Sequence, residues 1–461
     1  MTIKSVLVAN RGEIAVRIIK AAQSLGVRTV QVHSAADVDM LAVKLADEAV
    51  NIGSPAPKKS YLNIEAVISA AKAAGVDAIH PGYGFLSENG DFADAVVAAG
   101  MIFVGPSGDA IRLLGDKVAA REVAARAGVP TVPGSGGRVA DLTQAHEIAA
   151  RTGLPVMIKA AAGGGGRGIR IVDSLAELDK QFPLASAEAA AAFGDGGLYM
   201  EKVITKARHV EVQIFGDGEN FVHFYERECS LQRRRQKVWE EAPAFQLPQV
   251  VRQKLCESAV ALAREVKYKG AGTVEYLYDD NTREFYFIEV NTRIQVEHPV
   301  TEMITGFDLV QEMLKVAGGA KLSVTQDDIR PHGHAIECRI NAEDPLKDFA
   351  PSPGTISRLE VPEQEGVRFD TMLYEGYTIP PFYDSLLGKL IVWGETRSEC
   401  LKRLRHALDG LKIEGVPTTV PLHQALAQSA AVQTGAFHTR FLEGWLDTDF
   451  ACKDKVRPEV A

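Results

Sequence analysis

The sequence predicts a multidomain protein of mixed α/β and α+β class. Three observations carry the prediction: strand-like and helix-like runs alternate over the first ~110 residues, a Gly/Pro/Ser cluster interrupts the chain at 128–137, and strand-rich segments resume after His332. A length of 461 residues suggests roughly three domains. Residues 5–9 form a short apolar run of the kind buried in parallel sheets, and Asn10-Arg-Gly-Glu13 turns it into a helix with Ile14, Ile18, Ala22 and Leu25 at helical spacing. A strand over 27–32 follows, then a helix over 64–74, a strand over 77–80, a helix over 91–99 and a strand over 101–104, which together read as a parallel α/β domain. No G-x-G-x-x-G turn follows the first strand, which argues against a dinucleotide role. The polar loop His80-Pro-Gly-Tyr-Gly-Phe-Leu-Ser-Glu-Asn89 lies at the carboxyl end of a strand, where such domains place ligands; a structural turn around a packed Tyr83 explains it equally well. A helical stretch over 110–127 leads to the hinge at 128–137, and a second α/β segment runs to about residue 205. After a hairpin centred on Thr282, a helix-rich piece ends near Gly318. Strands over 334–340 and 388–393 and a helix over 399–411 then make a third, α+β unit.

With 46% hydrophobic and 24% charged residues the composition is that of a globular protein with several cores. A net charge of −9 argues against a general nucleic-acid binder while leaving room for local phosphate sites. The five cysteines, Cys229, Cys256, Cys338, Cys400 and Cys452, are odd in number and lack C-x-x-C spacing, so neither a disulfide framework nor a zinc site is expected. The apolar run at 6–9 is too short for a signal peptide, no run reaches the length of a membrane span, and a reducing cytoplasm is the expected location.

The most informative segment is Glu289-Val-Asn-Thr-Arg-Ile-Gln-Val-Glu297. Its polar residues, Glu289, Asn291, Arg293, Gln295 and Glu297, fall at every second position, so an extended backbone would point them to one side, with Val290, Ile294 and Val296 on the other. The preceding run Thr273-Val-Glu-Tyr-Leu-Tyr278 reads as the other hairpin strand and sets Glu275 opposite Glu289. Like charges opposed on one sheet face repel. A divalent cation removes the conflict, because Mg²⁺ takes one or two carboxylates and completes its shell with phosphates. A solvated acidic face is the ordinary explanation of such a hairpin; the continuation of the row through Arg293 to Glu297 favours a metal beside an oxyanion.

Residues 160–168, Ala-Ala-Ala-Gly-Gly-Gly-Gly-Arg-Gly, contain a formal G-x-G-x-x-G, but a strand follows it and no G-K-[ST] ends it. A glycine run between strands makes a flap whose N–H groups close over phosphate oxygens, with Lys159 adding charge at its base. A flexible surface hairpin is the plainer alternative, yet a lysine ending a buried strand is costly without a partner. The stretch Glu226-Arg-Glu-Cys-Ser-Leu-Gln-Arg-Arg-Arg-Gln-Lys237 mixes acids and bases between strands, and its charges are expected to converge on a substrate anion. Arg339 shares a strand-like run with His334 and Glu337, and composition does not separate a surface ion pair from a functional role there.

Eight ordered motifs, Asn10-Arg-Gly-Glu-Ile-Ala, the 80–89 loop, Gly115-Asp-Lys117, the glycine flap, Gln232-Arg-Arg-Arg-Gln-Lys, Asn291-Thr-Arg-Ile-Gln-Val-Glu-His-Pro, Glu337-Cys-Arg-Ile-Asn-Ala-Glu-Asp and Tyr383-Asp-Ser-Leu-Leu-Gly-Lys, resemble those of biotin carboxylases, which are ATP-grasp enzymes. The resemblance covers nearly the whole chain. It implies a pre-ATP-grasp domain over 1–113, an ATP-grasp domain over 114–320 with a mobile lid over 131–205, and a C-terminal domain over 331–447. It also implies that ATP and bicarbonate give carboxyphosphate, which breaks to CO₂ and phosphate, and that the carboxyl group passes to N1′ of biotin. By motif match Lys117 and Lys159 hold the ATP phosphates under a flap of Gly163, Gly164, Gly165 and Gly166. Glu201, Lys202 and Ile204 meet the adenine, with His209 and Gln232 nearby. Glu275 and Glu289 carry Mg²⁺ or Mn²⁺ with Asn291 beside them. Lys237, Arg293, Gln295 and Val296 surround bicarbonate, Glu297 is the base, Arg339 stabilises the biotin enolate, and Tyr83 lies near biotin.

Three positions depart from the family pattern. Arg235 replaces a histidine that flanks the nucleotide ribose, Ala162 replaces the first of five flap glycines, and Val290 replaces a methionine. No Ala-Met-Lys-Met-like segment follows, so the resemblance implies a homodimeric subunit that acts on a separate biotin carboxyl carrier protein and hands on to carboxyltransferase subunits, acetyl-CoA being the commonest acceptor. No nucleic acid or membrane partner is expected.

Overall fold

A computed structural model describes residues 2–160, 170–193 and 195–450. The described residues up to Val129, Arg208–Tyr278 and those from Ile288 onward make one compact unit, and Pro130–Ala207 with Asp279–Phe287 make a second. In the first unit, five parallel strands take the order Glu48–Asn51, Arg28–His33, Ser5–Val8, Ala78–His80, Ile102–Phe103. The helix Gly12–Ser24 packs its apolar residues Ile14, Ile18 and Ala22 against this sheet, and Asn63 and Asn89 cap the helices Ile64–Ala74 and Gly90–Ala98 through their side chains. The expected single helix over 110–127 is two, Gly108–Gly115 and Lys117–Arg126. Asp116, extended and capping the second through two backbone N–H groups, separates them.

The loop after Ala78–His80 is fixed by its own chemistry. Gly82 and Gly84 adopt the left-handed region, and Asn10 Nδ2 donates to the carbonyls of Pro81 and Tyr83, both at 2.7 Å.

An eight-stranded sheet, most of whose residues belong to the first unit, takes the order Phe285–Asn291, Lys269–Asp279, Ala207–Asp217, Phe221–Arg233, Gln236–Ala242, His334–Asn341, Leu386–Gly394, Val367–Thr371. Strands from the expected ATP-grasp and C-terminal segments therefore share one sheet. Phe221–Arg233 and Gln236–Ala242 join through a two-residue loop, Arg234-Arg235, with both residues at positive φ, the backbone of a tight hairpin turn. The turn of the following hairpin closes with the Asp279 N–H on the Glu284 carbonyl at 2.9 Å.

The second unit is a three-stranded antiparallel sheet, Arg170–Val172, Val156–Ala160 and Leu198–Lys202, packed against the helices Leu142–Thr152 and Leu175–Phe193. The glycine flap, with Ala162 and Gly163 to Gly166, lies outside the described residues. Among the described residues no helix is long and apolar enough to cross a membrane.

Candidate active site

The row that begins at Glu289 is only partly a strand. Strand geometry ends at Asn291, a bend and a turn follow, and Glu297 stands at the start of the helix His298–Thr305, whose second residue is Pro299. The expected extended run to Glu297 is thus corrected: proline at the start of a helix fixes helical backbone there and ends the alternation. The polar groups still converge, because the turn brings Glu297 back under the strands.

Lys237 is their centre. Its ammonium donates to Glu211 Oε2 at 2.5 Å, Glu297 Oε1 at 2.7 Å, Glu275 Oε1 at 2.9 Å and Gln295 Oε1 at 3.2 Å. Four acceptors around three N–H groups leave no fixed pairing, so the lysine can exchange partners without breaking the cluster. Glu211 also accepts from Arg227 Nε at 2.6 Å, and Arg227, fully buried, donates further to Gln213, Thr273 and Thr301. Arg339 closes the other side: its Nη2 donates to Glu297 Oε2 at 2.9 Å and its Nε to Glu240 Oε1 at 2.6 Å. Glu297 is 1% exposed.

Burial alone would raise the Glu297 carboxyl, but Lys237, then Arg339 and Arg227, outweigh it and hold the group ionised far below the usual carboxylate range. Glu275 behaves alike. Burial opposes, yet Lys237 and His209 hold it well below its ordinary value. Burial also works against the Lys237 ammonium, which Glu211, Glu275 and Glu297 more than restore.

Asn291 Nδ2 and Gln295 Nε2 donate to Glu275 Oε1 at 2.9 and 3.0 Å, and His209 Nε2 lies 3.1 Å from Glu275 Oε2. Arg293 reaches Asn291 Oδ1 at 3.1 Å and is held from behind by Glu88 at 2.9 Å. Glu289 is half-buried, and its carboxyl is raised first by burial and then by the negative charge of Glu275, a rise that Lys117 and His209 oppose without cancelling. Two oxygen donors that repel each other, with an amide beside one of them, are a set that suits a hard divalent cation. The carboxylates of Glu211, Glu275 and Glu297 also converge, but Lys237 sits among them and supplies the positive charge itself.

The remaining expected residues fall elsewhere. Lys117 is exposed at the first position of its helix. In the second unit Lys159 is paired with Glu201, which answers the cost of a lysine on a buried strand, while Lys202 and Ile204 end or follow the strand Leu198–Lys202. Gln232 donates to the carbonyl of Cys229 at 2.8 Å in its own strand. Tyr83 donates its hydroxyl to Glu13. The basic stretch divides, contrary to the expectation that its charges converge: Lys237 and Arg227 enter the acid cluster, whereas Arg233 and Arg234 turn to Asp348, at 2.9 and 3.1 Å, with Arg233 over the Phe349 ring. An acceptor on the following domain segment is a better partner for those two than a shared substrate.

Sequence reading missed Glu211, Glu240, Glu13 and Lys389. Glu211 had a signal, since His209, Glu211 and Gln213 alternate along a strand. Glu240 had none, because it meets Arg339 only through cross-strand pairing of Glu240 with Glu337.

Comparison with known proteins decides the family. Residues 2–111 match the biotin carboxylase N-terminal domain, 116–325 the carbamoyl-phosphate synthase L chain ATP-binding domain, and 337–444 the biotin carboxylase C-terminal domain. The chain belongs to the biotin carboxylase family. It is 52% identical to the biotin carboxylase of Pseudomonas aeruginosa over 449 residues, 97% of this chain and 99% of that one. It is also 52% identical to biotin carboxylase 1 of Bacillus subtilis, over 96% of this chain and 98% of the relative. Among solved structures, the biotin carboxylase domain of a thermophilic 2-oxoglutarate carboxylase bound to bicarbonate superposes with a TM-score of 0.92 at 46% identity, covering 96% of this chain and 98% of that one. Members of this family are ATP-grasp enzymes, and the three-domain architecture and mixed α/β class expected from the sequence are those of the family.

Proposed function

We propose that the chain carboxylates biotin with bicarbonate at the expense of ATP, giving N1′-carboxybiotin, ADP and phosphate. The observation that carries this reading is Glu297, buried and gripped by Lys237 on one carboxylate oxygen and Arg339 on the other. Bicarbonate is a weak nucleophile and must lose a proton as it attacks the γ-phosphate. Glu297 takes that proton. Held by two cations, it attracts protons poorly; a bicarbonate bound to Lys237, Arg293, Gln295 and the chain at Val296 draws on the same positive charge and raises the basicity of Glu297 where it is needed. Carboxyphosphate then breaks to CO₂ and phosphate, the released phosphate takes the N1′ proton of biotin, Arg339 stabilises the enolate so formed with Tyr83 beside it, and N1′ attacks CO₂ to give carboxybiotin.

ATP is held by Lys117 and Lys159 and by the flap Gly163–Gly166. Its adenine lies against Glu201, Lys202 and Ile204, with His209 and Gln232 close by, and residues 131–205 act as a lid. Glu275 and Glu289, with Asn291 beside them, would hold Mg²⁺ or Mn²⁺, whose charge would offset the phosphate oxygens. The biotin arrives on a carrier protein, the chain works as a cytoplasmic homodimer, and a carboxyltransferase passes the carboxyl group on, to acetyl-CoA for fatty acid synthesis or to another acceptor. The choice of acceptor lies with the carboxyltransferase and leaves this site unchanged.

Incubation with ¹⁴C-bicarbonate, ATP, Mg²⁺ and free biotin tests the reaction. Acid-labile label on biotin, dependent on every component, is expected; ATP binding with no biotin-dependent labelling would sink the proposal.

A further inference from the structure

Two residues that the chemistry above leaves unused, Glu13 and Lys389, link Tyr83 to the backbone next to Glu297. Lys389, in the strand Leu386–Gly394, is fully buried. Its ammonium donates to the backbone carbonyl of Val296 at 2.7 Å and lies 3.2 Å from Glu13 Oε1. The same Glu13 oxygen accepts the hydroxyl of Tyr83. A continuous chain therefore runs from Tyr83 through Glu13 and Lys389 to the carbonyl of Val296, and the next residue is Glu297.

Packing does not account for the lysine. A fully buried ammonium is several kcal/mol worse than an aliphatic side chain unless its partners repay the desolvation. In the sheet Lys389 also stands directly opposite Arg339, so it adds a like charge beside a guanidinium already present. Asp370 on its other side offsets part of that charge but is itself bound by Arg368 at 2.8 and 2.6 Å. What the lysine does hold is a peptide plane. The Val296–Glu297 peptide is planar, so fixing the Val296 oxygen fixes the Glu297 nitrogen and the direction in which the Glu297 side chain leaves the turn.

We propose that Glu13 and Lys389 are positioning residues that aim Glu297 through the Val296–Glu297 peptide and tie that aim to Tyr83. The inference rests on the role given above to Glu297. It predicts that the biotin side of the site, through Tyr83, and the bicarbonate side, through Glu297, respond to one another across a path of four groups.

Three substitutions test it. Lys389→Met removes the bond to Val296 at nearly constant length, and Glu13→Gln with Lys389→Met removes the acid and the base together, so that neither faces the other's uncharged replacement; circular dichroism and unfolding confirm that the variant assayed is folded. In the labelling assay, kcat/KM for bicarbonate is expected to fall about 10–100-fold, as for other groups that orient a reacting residue from behind, with KM for ATP changed by less than about twofold. Tyr83→Phe should change kcat/KM for free biotin by different factors in the wild-type and Lys389→Met backgrounds. Bicarbonate kcat/KM within about twofold of wild type in the folded double variant, or equal effects of Tyr83→Phe in both backgrounds, would overturn the positioning role while the wild-type reaction stands. A wild type that does not label biotin would overturn both.

Discussion

The two ends of the segment from Glu289 to Glu297 are built on opposite electrostatic plans. At the Glu297 end every carboxylate meets a cation inside the protein: Glu211 has Lys237 and Arg227, Glu297 has Lys237 and Arg339, and Glu240 has Arg339. At the Glu289 end a half-buried carboxyl is raised by burial and then by a neighbouring carboxylate, and one cation that opposes the rise, Lys117 at the start of its helix, is exposed. On the proposed function, the first end is preorganised for a small anion that enters among fixed charges. The second carries an uncompensated negative charge, which a metal arriving with a nucleotide would relieve. A site for two charged substrates therefore need not be uniformly assembled: the protein fixes the part that no substrate brings.

The sharpest way to break this contrast is to remove the acid on which the compensated end converges. Glu297→Ala should lower bicarbonate-dependent ATP turnover and biotin labelling by about 10²–10⁴-fold, the range for a general base, with nucleotide affinity retained in calorimetry. Wild-type turnover in that variant would remove Glu297 from the chemistry. Next in size is the lysine. Lys237→Met leaves Glu211, Glu275 and Glu297 buried around an apolar chain, and denaturant unfolding near neutral pH should show a loss of roughly 3–5 kcal/mol, the cost of breaking a buried pair from one side. A loss below about 1 kcal/mol would mean that the cluster is solvated and not preorganised.

Glu289→Gln tests the uncompensated end. It removes the repulsion with Glu275 and one oxygen charge, so the protein should be no less stable, while the Mg²⁺ concentration that gives half-maximal rate should rise by at least about tenfold. The signs differ from those at Lys237, where stability falls. If Glu289→Gln lowered stability and left the Mg²⁺ requirement unchanged, the two ends would not differ in the way described.

How much of this was legible in the sequence follows the same divide. The hairpin and its acids were readable because strands impose a period of two, and Glu275, Glu289 and Asn291 show it. The parallel sheet was readable from short apolar runs alternating with helical spacing. Glu297 entered the row by the same period although it stands in a turn; the fold does bring it to Lys237 and Arg339, but by a geometry in which Pro299 cuts the alternation short. Lys389, Glu13 and Glu240 were not readable, because each acquires its partner from a segment distant in sequence, and a lysine or glutamate within an apolar run carries no mark of the residue it will meet. Arg233 and Arg234 misled for the same reason, since their partner Asp348 lies more than a hundred residues on.

Glu240 is the weakest point of the compensated end and gives the smallest of these effects. Its Oε1 meets Arg339, its Oε2 is buried without a partner, and directly opposite in the sheet stands Glu337, whose two oxygens also lack partners. Burial drives Glu337 well above its ordinary value against the pull of Lys389, so it holds its proton more tightly than a free carboxyl does. Burial likewise raises Glu240, from 4.5 to about 7, with Arg339 opposing and Glu297 adding to the rise. A carboxyl that binds its proton more tightly folded than unfolded contributes its stability fully below pH 4.5 and loses it as the pH rises through about 7. Glu275 and Glu297, held low, act in the reverse sense: their stability is present above the ordinary carboxylate range and is lost as the pH falls through their lowered folded values. Glu240→Gln deletes the first dependence and leaves the second. Unfolding free energy measured from pH 4.5 to 7 should therefore decline less steeply, or climb more steeply, in the variant, by up to about 1.4 kcal/mol per pH unit for one proton. Parallel curves for variant and wild type would show that Arg339 compensates Glu240 as completely as Lys237 compensates its own three acids, and the compensated end would then have no weak point.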